Sequence, residues 1–196
     1  MKLYYSAGSP YARMVRMAML ETGITIPLTE TTLRDPASSL LPINPVGRVP
    51  TLLLSDGVAL TETLLILPFL DRLHTGPKLM PFEPERLAAL GRVMGLLEGV
   101  AVWNRELRRP GHERSPGLLT LEATRADRVA DALERSLTIF DRIDAGWLPL
   151  TAALGYCERR HTIWRWRDGR PTLASWFDRA AERPCFVATM PPPSAI

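Results

Sequence analysis

The sequence contains little cysteine and little histidine. The two cysteines of the 196-residue chain, Cys157 and Cys185, belong to no Cys-x-x-Cys motif and to no Cys/His cluster. Such spacing supports neither a disulfide framework nor a metal site, so we expect no metal and a reducing cytoplasm. The three histidines, His74, His112 and His161, lie far apart in the sequence, and none is assigned a catalytic role.

A large charge excess and long apolar runs are also missing. The formal net charge is only +3, from 24 basic and 21 acidic residues, which gives no reason to expect a nucleic-acid partner. No run approaches the roughly 20 apolar residues of a membrane span, and the first residues form no apolar signal segment. We therefore expect a cytoplasmic protein without a membrane partner. Hydrolase and kinase functions have no support, because the sequence has no Ser/His/Asp spacing and no glycine-rich phosphate loop.

The first part of the chain alternates between strand and helix patterns. The predicted elements are strand 2–6, helix 10–22, strand 26–30, strand 51–54, strand 58–60 and helix 62–74. This order, βαβ followed by ββα, is typical of the thioredoxin layout, a four-stranded mixed sheet with helices on its faces. We therefore predict an α/β thioredoxin-like domain at residues 1–76.

Strand signals end at a stretch with prolines, 77–81, which we take as a linker. Apolar residues then recur at three- and four-residue steps, which predicts long helices. The first stripe is Leu87, Leu90, Met94, Leu97 and Ala101, followed by the polar Asn104; the second is Leu133, Leu137, Phe140 and Ile143, and a third helix is expected from about Leu148. Residues 82–196 are therefore predicted to form an all-α helical bundle.

Residues 44–62 have the pattern of a ligand-binding hairpin. A turn signal at 55–57 joins two short strand-like runs. Val49-Pro50 stands at the mouth of the first run, where proline removes a ladder donor. A cis bond there would turn the Val49 N–H and C=O outward, free to pair with an extended peptide-like ligand.

The helix after this hairpin begins at Thr61-Glu62-Thr63. Unpaired N–H groups and the positive dipole end make a helix start a carboxylate site, and Glu62 is suited to receive an ammonium group beside it. Together with Val49 and Pro50, this helix start would hold a zwitterionic amino-acid head group and a peptide backbone. Either half alone is more typical of a surface hairpin with a capped helix, and only the joint pattern favours a ligand site.

Two segments, Asn-Pro-Val-Gly-Arg-Val-Pro-Thr-Leu at 44–52 and Thr-Glu-Thr-Leu-Leu-Ile at 61–66, resemble motifs of the glutathione S-transferase family. The corresponding family motifs are Asn-Pro-x-Gly-Lys-Val-Pro-x-Leu and a helix that starts with Glu-Ser. The resemblance covers almost the whole chain, because the start at 1–13 and the segments 154–156 and 183–186 are also similar to bacterial members.

The resemblance implies the fold of that family, glutathione as co-substrate and a homodimer. Glu62 and Thr63 would hold the γ-glutamyl head of glutathione, and Val49 and Pro50 would pair with its cysteinyl backbone. Arg48 is placed to reach the far carboxylate, although an exposed arginine in a polar turn is usually just solvated. The expected enzyme is a bacterial, serine-type, theta- or beta-like glutathione transferase that acts in detoxification.

Ser9 is the candidate catalytic residue. The segment Ser-Pro-Tyr-Ala at 9–12 resembles the Cys-Pro-Tyr-Cys of glutaredoxins with both cysteines replaced, so the thiol must come from the ligand. A hydroxyl at a helix N-terminus donates to a bound thiolate and lowers the thiol pKa from about 8.5 toward neutrality. A simple helix cap is the alternative for Ser9. Tyr5 and Tyr11 are competing hydroxyls, and Tyr5 shares the face of Leu3, which favours a core position.

The second substrate is expected to be a small apolar electrophile. Trp103, Asn104 and Arg108 fall where the first bundle helix of the family faces the glutathione sulfur, and we group Tyr11 with them as the pocket. Ordinary packing for Trp103 and surface charge for Arg108 are the alternatives. The sequence does not choose among conjugation, dehalogenation, isomerisation, ether cleavage and peroxide reduction. A non-catalytic ligand-binding or regulatory protein with the same fold is the alternative function.

Two departures from the family pattern favour that alternative slightly. Relatives carry a Ser/Thr-x-x-Asp capping box before the helix that ends in Ala-Leu-Gly-Tyr. Here Asp144 is available as a cap, but Trp147 replaces the acid, and Pro149 is expected to interrupt an early helical hydrogen bond. The bundle would then be less stable there or joined differently. Pro68 lies inside the helix that carries Glu62, where a kink is expected beyond the site.

Overall fold

The computed structural model describes residues 1–33, 35–161 and 163–192. Its residue contacts divide the chain into two compact units. Unit 1 contains Met1–Met80 and the segment that begins at Pro184, and unit 2 contains Pro81–Arg183. The domain limits drawn from the sequence stay a prediction, and the grouping of the last segment with unit 1 was not part of it.

Unit 1 is built on a four-stranded mixed sheet. Its strands are β1 (Lys2–Tyr5), β2 (Leu28–Glu30), β3 (Thr51–Leu53) and β4 (Ala59–Thr61), in the order β2-β1-β3-β4. β1 is parallel to β2 and antiparallel to β3, and β3 is antiparallel to β4. Leu3 and Leu52 pair across the two central strands and are fully buried. The predicted thioredoxin-like sheet is confirmed.

The helices of the described residues are α1 (Pro10–Thr22), α2 (Thr63–Leu70), α3 (Pro84–Leu107), α4 (Pro116–Glu134), α5 (Trp147–Arg160), α6 (Pro171–Ala181) and α7 (Pro184–Ala188). In unit 1, α1 ends where the sequence predicts, because Gly23 adopts a φ of 70° and its N–H bonds to the Leu20 carbonyl. The expected buried face of α1, Val15, Ala18 and Met19, is confirmed.

The helix α2 ends at Leu70, four residues before the predicted end at His74. The buried Asp71 explains this difference. Its carboxylate accepts the N–H groups of Leu79 at 2.7 Å and Met80 at 2.9 Å, so the chain turns back on the helix end instead of continuing the helix. The periodicity of apolar residues does not predict such long-range hydrogen bonds, so it placed the helix end too late.

The segment from Pro184 is held to unit 1 by the buried Arg13 of α1. The Arg13 guanidinium donates to the Phe186 carbonyl at 2.8 Å and to the Thr189 hydroxyl at 3.2 Å, and it lies 3.8 Å from the Phe186 ring centroid. These contacts place α7 against α1.

Unit 2 is a helical bundle in which α3 packs against both α4 and α5. The predicted stripe is buried at Leu90, Leu97, Ala101 and Asn104. The assignment of Leu87 to the stripe was wrong, because Leu87 lies in the first turn of α3 and is 44% exposed. Together with the sheet of unit 1, this bundle confirms the predicted fold class. Among the described residues, no helix is both long enough and apolar enough to span a membrane.

The second predicted stripe does not belong to one long helix. α4 ends at Glu134, and a separate 3₁₀ turn covers Leu137–Phe140. Leu133, Leu137 and Phe140 are nevertheless buried. Their spacing predicted burial correctly, but a shared face does not require a continuous helix.

The sequence predicted two weaknesses at the start of α5, a missing cap and an interruption at Pro149. The buried Asp144 carboxylate accepts the N–H groups of Gly146 at 2.8 Å and Trp147 at 3.1 Å, so Asp144 does cap the helix. Pro149 is the third residue of α5, and the N–H groups of its neighbours Leu148 and Leu150 bond to the carbonyls of Asp144 and Gly146 at 2.9 and 3.3 Å. Proline has no N–H for the bond between these two, so Pro149 does interrupt one early helical hydrogen bond, and the helix continues past it.

Candidate functional site

Ser9 begins α1 as its N-cap. The residue has an extended backbone, and its Oγ accepts the N–H of Ala12 at 3.2 Å, while Pro10 occupies the first helical position. Within the described part of the chain the Ser9 hydroxyl makes no other hydrogen bond. Its own proton therefore has no protein acceptor there, and the cap and a donor role toward a ligand are compatible.

Asn44 closes the loop that carries Arg48 and Val49. Its buried amide donates to the Arg48 carbonyl at 3.1 Å and to the Thr51 hydroxyl at 2.9 Å, and its oxygen accepts the Val46 N–H at 3.1 Å. The Thr51 hydroxyl also donates to the Arg48 carbonyl. These bonds fix the backbone immediately before Val49, while the Arg48 side chain is exposed.

Val49 presents its side chain to the core and leaves its backbone unpaired. The Val49–Pro50 bond is cis, and the Val49 side chain packs in a buried cluster with Tyr4, Ala12 and Leu40. Among the described residues neither the N–H nor the C=O of Val49 has a hydrogen-bond partner. A backbone N–H and C=O in this state are suited to pair with an extended chain, as β-augmentation does.

Glu62 and Thr63 form the start of α2. Glu62 is exposed and has a φ of 65°, an uncommon value outside glycine, and its side chain does not cap the helix. Its carboxylate has no hydrogen-bond partner within the described residues. Thr63 is buried, and its hydroxyl donates to the Tyr11 carbonyl at 3.2 Å.

Three of the predicted segments are thus joined inside unit 1. Ala12, whose N–H is capped by Ser9, packs with Val49, and the Thr63 hydroxyl ties the start of α2 to Tyr11 in the first turn of α1. Neither helix has an acidic residue within its first turn. Two positive helix ends beside one free backbone edge are suited to an anionic, peptide-like ligand.

The two competing hydroxyls lie in the same unit. Tyr5 is half-buried against the Val49 cluster, with the Arg16 guanidinium 4.6 Å from its ring centroid and a weak bond of 3.5 Å from its hydroxyl to Glu30. Tyr11 is half-buried in the first turn of α1. The choice among Ser9, Tyr5 and Tyr11 stays a prediction.

In unit 2, Trp103 packs in the interior. It is 5% exposed, and its ring centroid lies 4.7 Å from that of His161 and 6.0 Å from that of Trp164. This packing accounts for its burial without a ligand, so a role in the second-substrate pocket stays a prediction.

Asn104 and Arg108 lie one turn apart near the end of α3. The Asn104 amide donates to the Tyr156 hydroxyl of α5, and the Arg108 side chain is exposed. Burial raises the pKa of Tyr156, an effect that the bond from Asn104 and the charge of Arg108 oppose. A protonated Tyr156 hydroxyl that already accepts one bond has its proton left to donate.

Known proteins are similar to this chain over most of its length. Residues 3–78 match the model of the glutathione S-transferase N-terminal domain. The uncharacterized GST-like protein YibF of Escherichia coli K12 is 26% identical over 200 residues, which cover 98% of this chain and 99% of YibF. A glutathione transferase family member from Pseudomonas fluorescens Pf-5, solved with bound glutathione, superimposes with a TM-score of 0.91 at 28% identity, over 97% of this chain and 98% of that one. The chain is therefore similar to glutathione S-transferases in sequence over residues 3–78 and in fold over nearly its whole length.

A second structure of the same Pseudomonas fluorescens Pf-5 protein holds S-(propanoic acid)-glutathione. It superimposes with a TM-score of 0.89 at 28% identity, over 98% of this chain and 100% of that chain. Both ligands contain the peptide backbone and the two carboxylates of glutathione.

Sequence reasoning missed two kinds of residue in this site. Asn44 was seen only as part of a motif, although an Asn before a Pro signals a turn that its side chain can organise. Tyr156, which binds Asn104, lies on another helix 52 residues later, and no local pattern connects the two.

Proposed function

We propose that this protein is a glutathione transferase that binds glutathione in unit 1 and transfers its thiolate to a small electrophile. The observation that carries the proposal is the joining of the Ser9-capped start of α1, the unpaired Val49 backbone and the start of α2. The Pseudomonas fluorescens neighbour with bound glutathione supports the same ligand here.

Each group in this site has a distinct role in the proposal. The Glu62 carboxylate receives the γ-glutamyl ammonium, the N-terminus of α2 at Thr63 binds the γ-glutamyl carboxylate, and the Val49 N–H and C=O pair with the cysteinyl residue. Arg48 is proposed to reach the glycyl carboxylate. These contacts would direct the sulfur toward Ser9.

The chemistry assigned to Ser9 is electrostatic. Its hydroxyl donates to the sulfur while the positive end of α1 stabilises negative charge, so the bound thiol loses its proton to solvent more easily than in water. The thiolate then forms a bond to the electrophilic carbon. Trp103, Asn104 and Arg108 are proposed to contact the electrophile, and the propanoic acid conjugate in the second Pseudomonas fluorescens structure supports small substituents on the sulfur.

Oligomeric state and location complete the proposal. We infer a homodimer that acts in the cytoplasm in detoxification, with glutathione as co-substrate and no metal. Sedimentation velocity of the purified chain tests the dimer, for which a 21.9 kDa species at micromolar concentration would be the contrary result.

Calorimetry and a turnover assay test the function together. Glutathione should bind to the purified protein, and formation of the conjugate with 1-chloro-2,4-dinitrobenzene or with one member of a wider electrophile panel should exceed the uncatalysed rate. Glutathione binding with no rate above background on the whole panel would replace the transferase by a ligand-binding protein. Absence of glutathione binding would reject both functions.

A further inference from the structure

Arg160, the last residue of α5, has two guanidinium nitrogens that make no hydrogen bond among the described residues. Its Nε and Nη1 atoms are buried and have no partner within the described residues. Buried polar groups are almost always hydrogen-bonded, and an unsatisfied one carries a desolvation cost. A guanidinium keeps its positive charge in proteins, so the missing partner of Arg160 is an acceptor, preferably an anion.

A second arginine and two polar groups lie beside it. Arg160 is one turn beyond Tyr156 on α5, as Arg108 is one turn beyond Asn104 on α3. The bond from the Asn104 amide to the Tyr156 hydroxyl joins the two helices at this level. The next turn of each helix therefore contributes one arginine to the same end of the α3 and α5 pair.

The charges around Arg160 have the same sign. Burial lowers the pKa of the Arg160 guanidinium, and the positive charges of Arg108 and Arg159 lower it further, while Tyr156 acts in the opposite direction. Neither Arg108 nor Arg160 has an ion pair among the described residues.

Three other half-buried or buried arginines of unit 2 pair with carboxylates. Arg86 pairs with Asp141 and Asp144, Arg167 pairs with Glu158 and Asp178, and Arg170 pairs with Asp127 and Asp131. Arg160, by contrast, has two buried guanidinium nitrogens without an acceptor in the described part of the unit.

We propose that Arg108, Arg160 and the Tyr156 hydroxyl bind a carboxylate of the electrophilic second substrate, so that the enzyme prefers anionic electrophiles. The proposal rests on the proposed function, because it takes Asn104 and Arg108 as contacts of the second substrate. It changes the expected substrate class from apolar to carboxylate-bearing. With a chloronitrobenzoate, the thiol proton goes to solvent, the sulfur forms a bond to the ring carbon, and the carbon–chlorine bond breaks to release chloride.

The direct test needs no glutathione. Calorimetry compares 3-nitrobenzoate with its neutral analogue 3-nitrobenzamide, on the wild type and on Arg108→Gln and Arg160→Gln. Arg109→Gln is the matched control, because it removes the same charge from an exposed arginine that pairs with Glu113.

We expect the benzoate to bind the wild type about tenfold or more tightly than the amide, which corresponds to one charge-assisted hydrogen bond. The preference should fall in both variants and remain in Arg109→Gln. Equal affinity for benzoate and amide in the wild type would overturn the proposal, and so would a preference that survives both substitutions. If Arg160→Gln does not fold, Arg108→Gln, which alters an exposed residue, gives the decision.

Turnover separates this proposal from the transferase function. With glutathione, 4-chloro-3-nitrobenzoate should be a better substrate than 4-chloro-3-nitrobenzamide once each rate is divided by its uncatalysed rate. A carboxylate preference in calorimetry without any turnover would support the anion site and reject the transferase function. Turnover with no carboxylate preference in either assay would support the transferase function and reject the anion site.

Discussion

Glu62 combines an exposed carboxylate with a backbone that few non-glycine residues adopt. A positive φ of this kind costs on the order of 1–3 kcal/mol and persists only where the surrounding structure enforces it. The neighbouring contacts do so here, because Thr63 is buried and bonded to Tyr11 and the Glu62 carbonyl accepts the first helical N–H groups of α2. The carboxylate itself has no hydrogen-bond partner in the described residues and is available for a ligand.

Glu62→Gln should weaken glutathione binding without loss of stability. The substitution removes a charge-assisted contact to the ammonium group, for which roughly 1.5–3 kcal/mol, or about tenfold or more in Kd, is expected. Calorimetry measures the affinity, and thermal unfolding measures stability. Asp56→Asn removes the same charge from the exposed hairpin turn and should change neither. Unchanged affinity in Glu62→Gln would remove Glu62 from the site.

His161 predicts how stability depends on pH. Burial lowers its pKa below the ordinary 6.5, although the 2.7 Å bond from Nε2 to the Val100 carbonyl partly opposes this. As the pH falls through about 6.5, His161 therefore binds a proton in the unfolded chain but not yet in the folded chain. The contribution of His161 to the free energy of unfolding is fully present above that pH. It falls as the pH is lowered, by at most about 1.4 kcal/mol per pH unit.

Denaturant unfolding at pH 7 and pH 5 tests this linkage. His161→Gln retains an N–H donor toward Val100 but does not titrate, so its loss of stability between the two pH values should be smaller than that of the wild type. An equal loss in both proteins would show that His161 does not contribute to the pH dependence.

At the scale of elements, the start of α5 depends on one buried carboxylate. Asp144 binds two N–H groups at the helix start and pairs with Arg86 at 2.9 Å and Arg142 at 3.4 Å. It therefore fixes α5 to the first turn of α3, which carries Arg86. This capping removes the main sequence-based reason for a degenerate, non-catalytic protein.

Asp144→Ala should lower the free energy of unfolding by about 3 kcal/mol, because it removes a cap and a buried ion-pair partner. Asp141→Ala is the matched control. Asp141 also pairs with Arg86, but its side chain is 65% exposed, so about 1 kcal/mol or less is expected. Denaturant unfolding measures both, and similar values for the two variants would contradict the assignment of Asp144 as the buried anchor.

The elements that sequence reasoning predicted best are those with local signals. Pro10 and Gly23 mark the two ends of α1, and the turn at 55–57 marks the hairpin. The end of α2 was placed too late and the second stripe was taken as one helix, because Asp71 and the break after Glu134 act through contacts or a local turn that periodicity does not encode.

At the scale of the whole molecule, the family motifs predicted the fold class, and the glutathione-binding residues remain proposals on that basis. The attachment of the last segment to unit 1 was beyond prediction, since Arg13 and Phe186 are 173 residues apart. The unpaired nitrogens of Arg160 could not be predicted either. An arginine without a partner is recognised only when the positions of all nearby acceptors in the fold are known.

The ionisation of bound glutathione tests the central claim most directly. The thiolate absorbance of the complex, titrated against pH, should give a thiol pKa below the usual value of about 8.5 in the wild type, and about one to two units higher in Ser9→Ala, with little change in affinity. Tyr5→Phe and Tyr11→Phe should leave the curve in place. A wild-type complex that titrates like free glutathione would contradict thiolate stabilisation, and a curve that moves only in a tyrosine variant would reduce Ser9 to a helix cap.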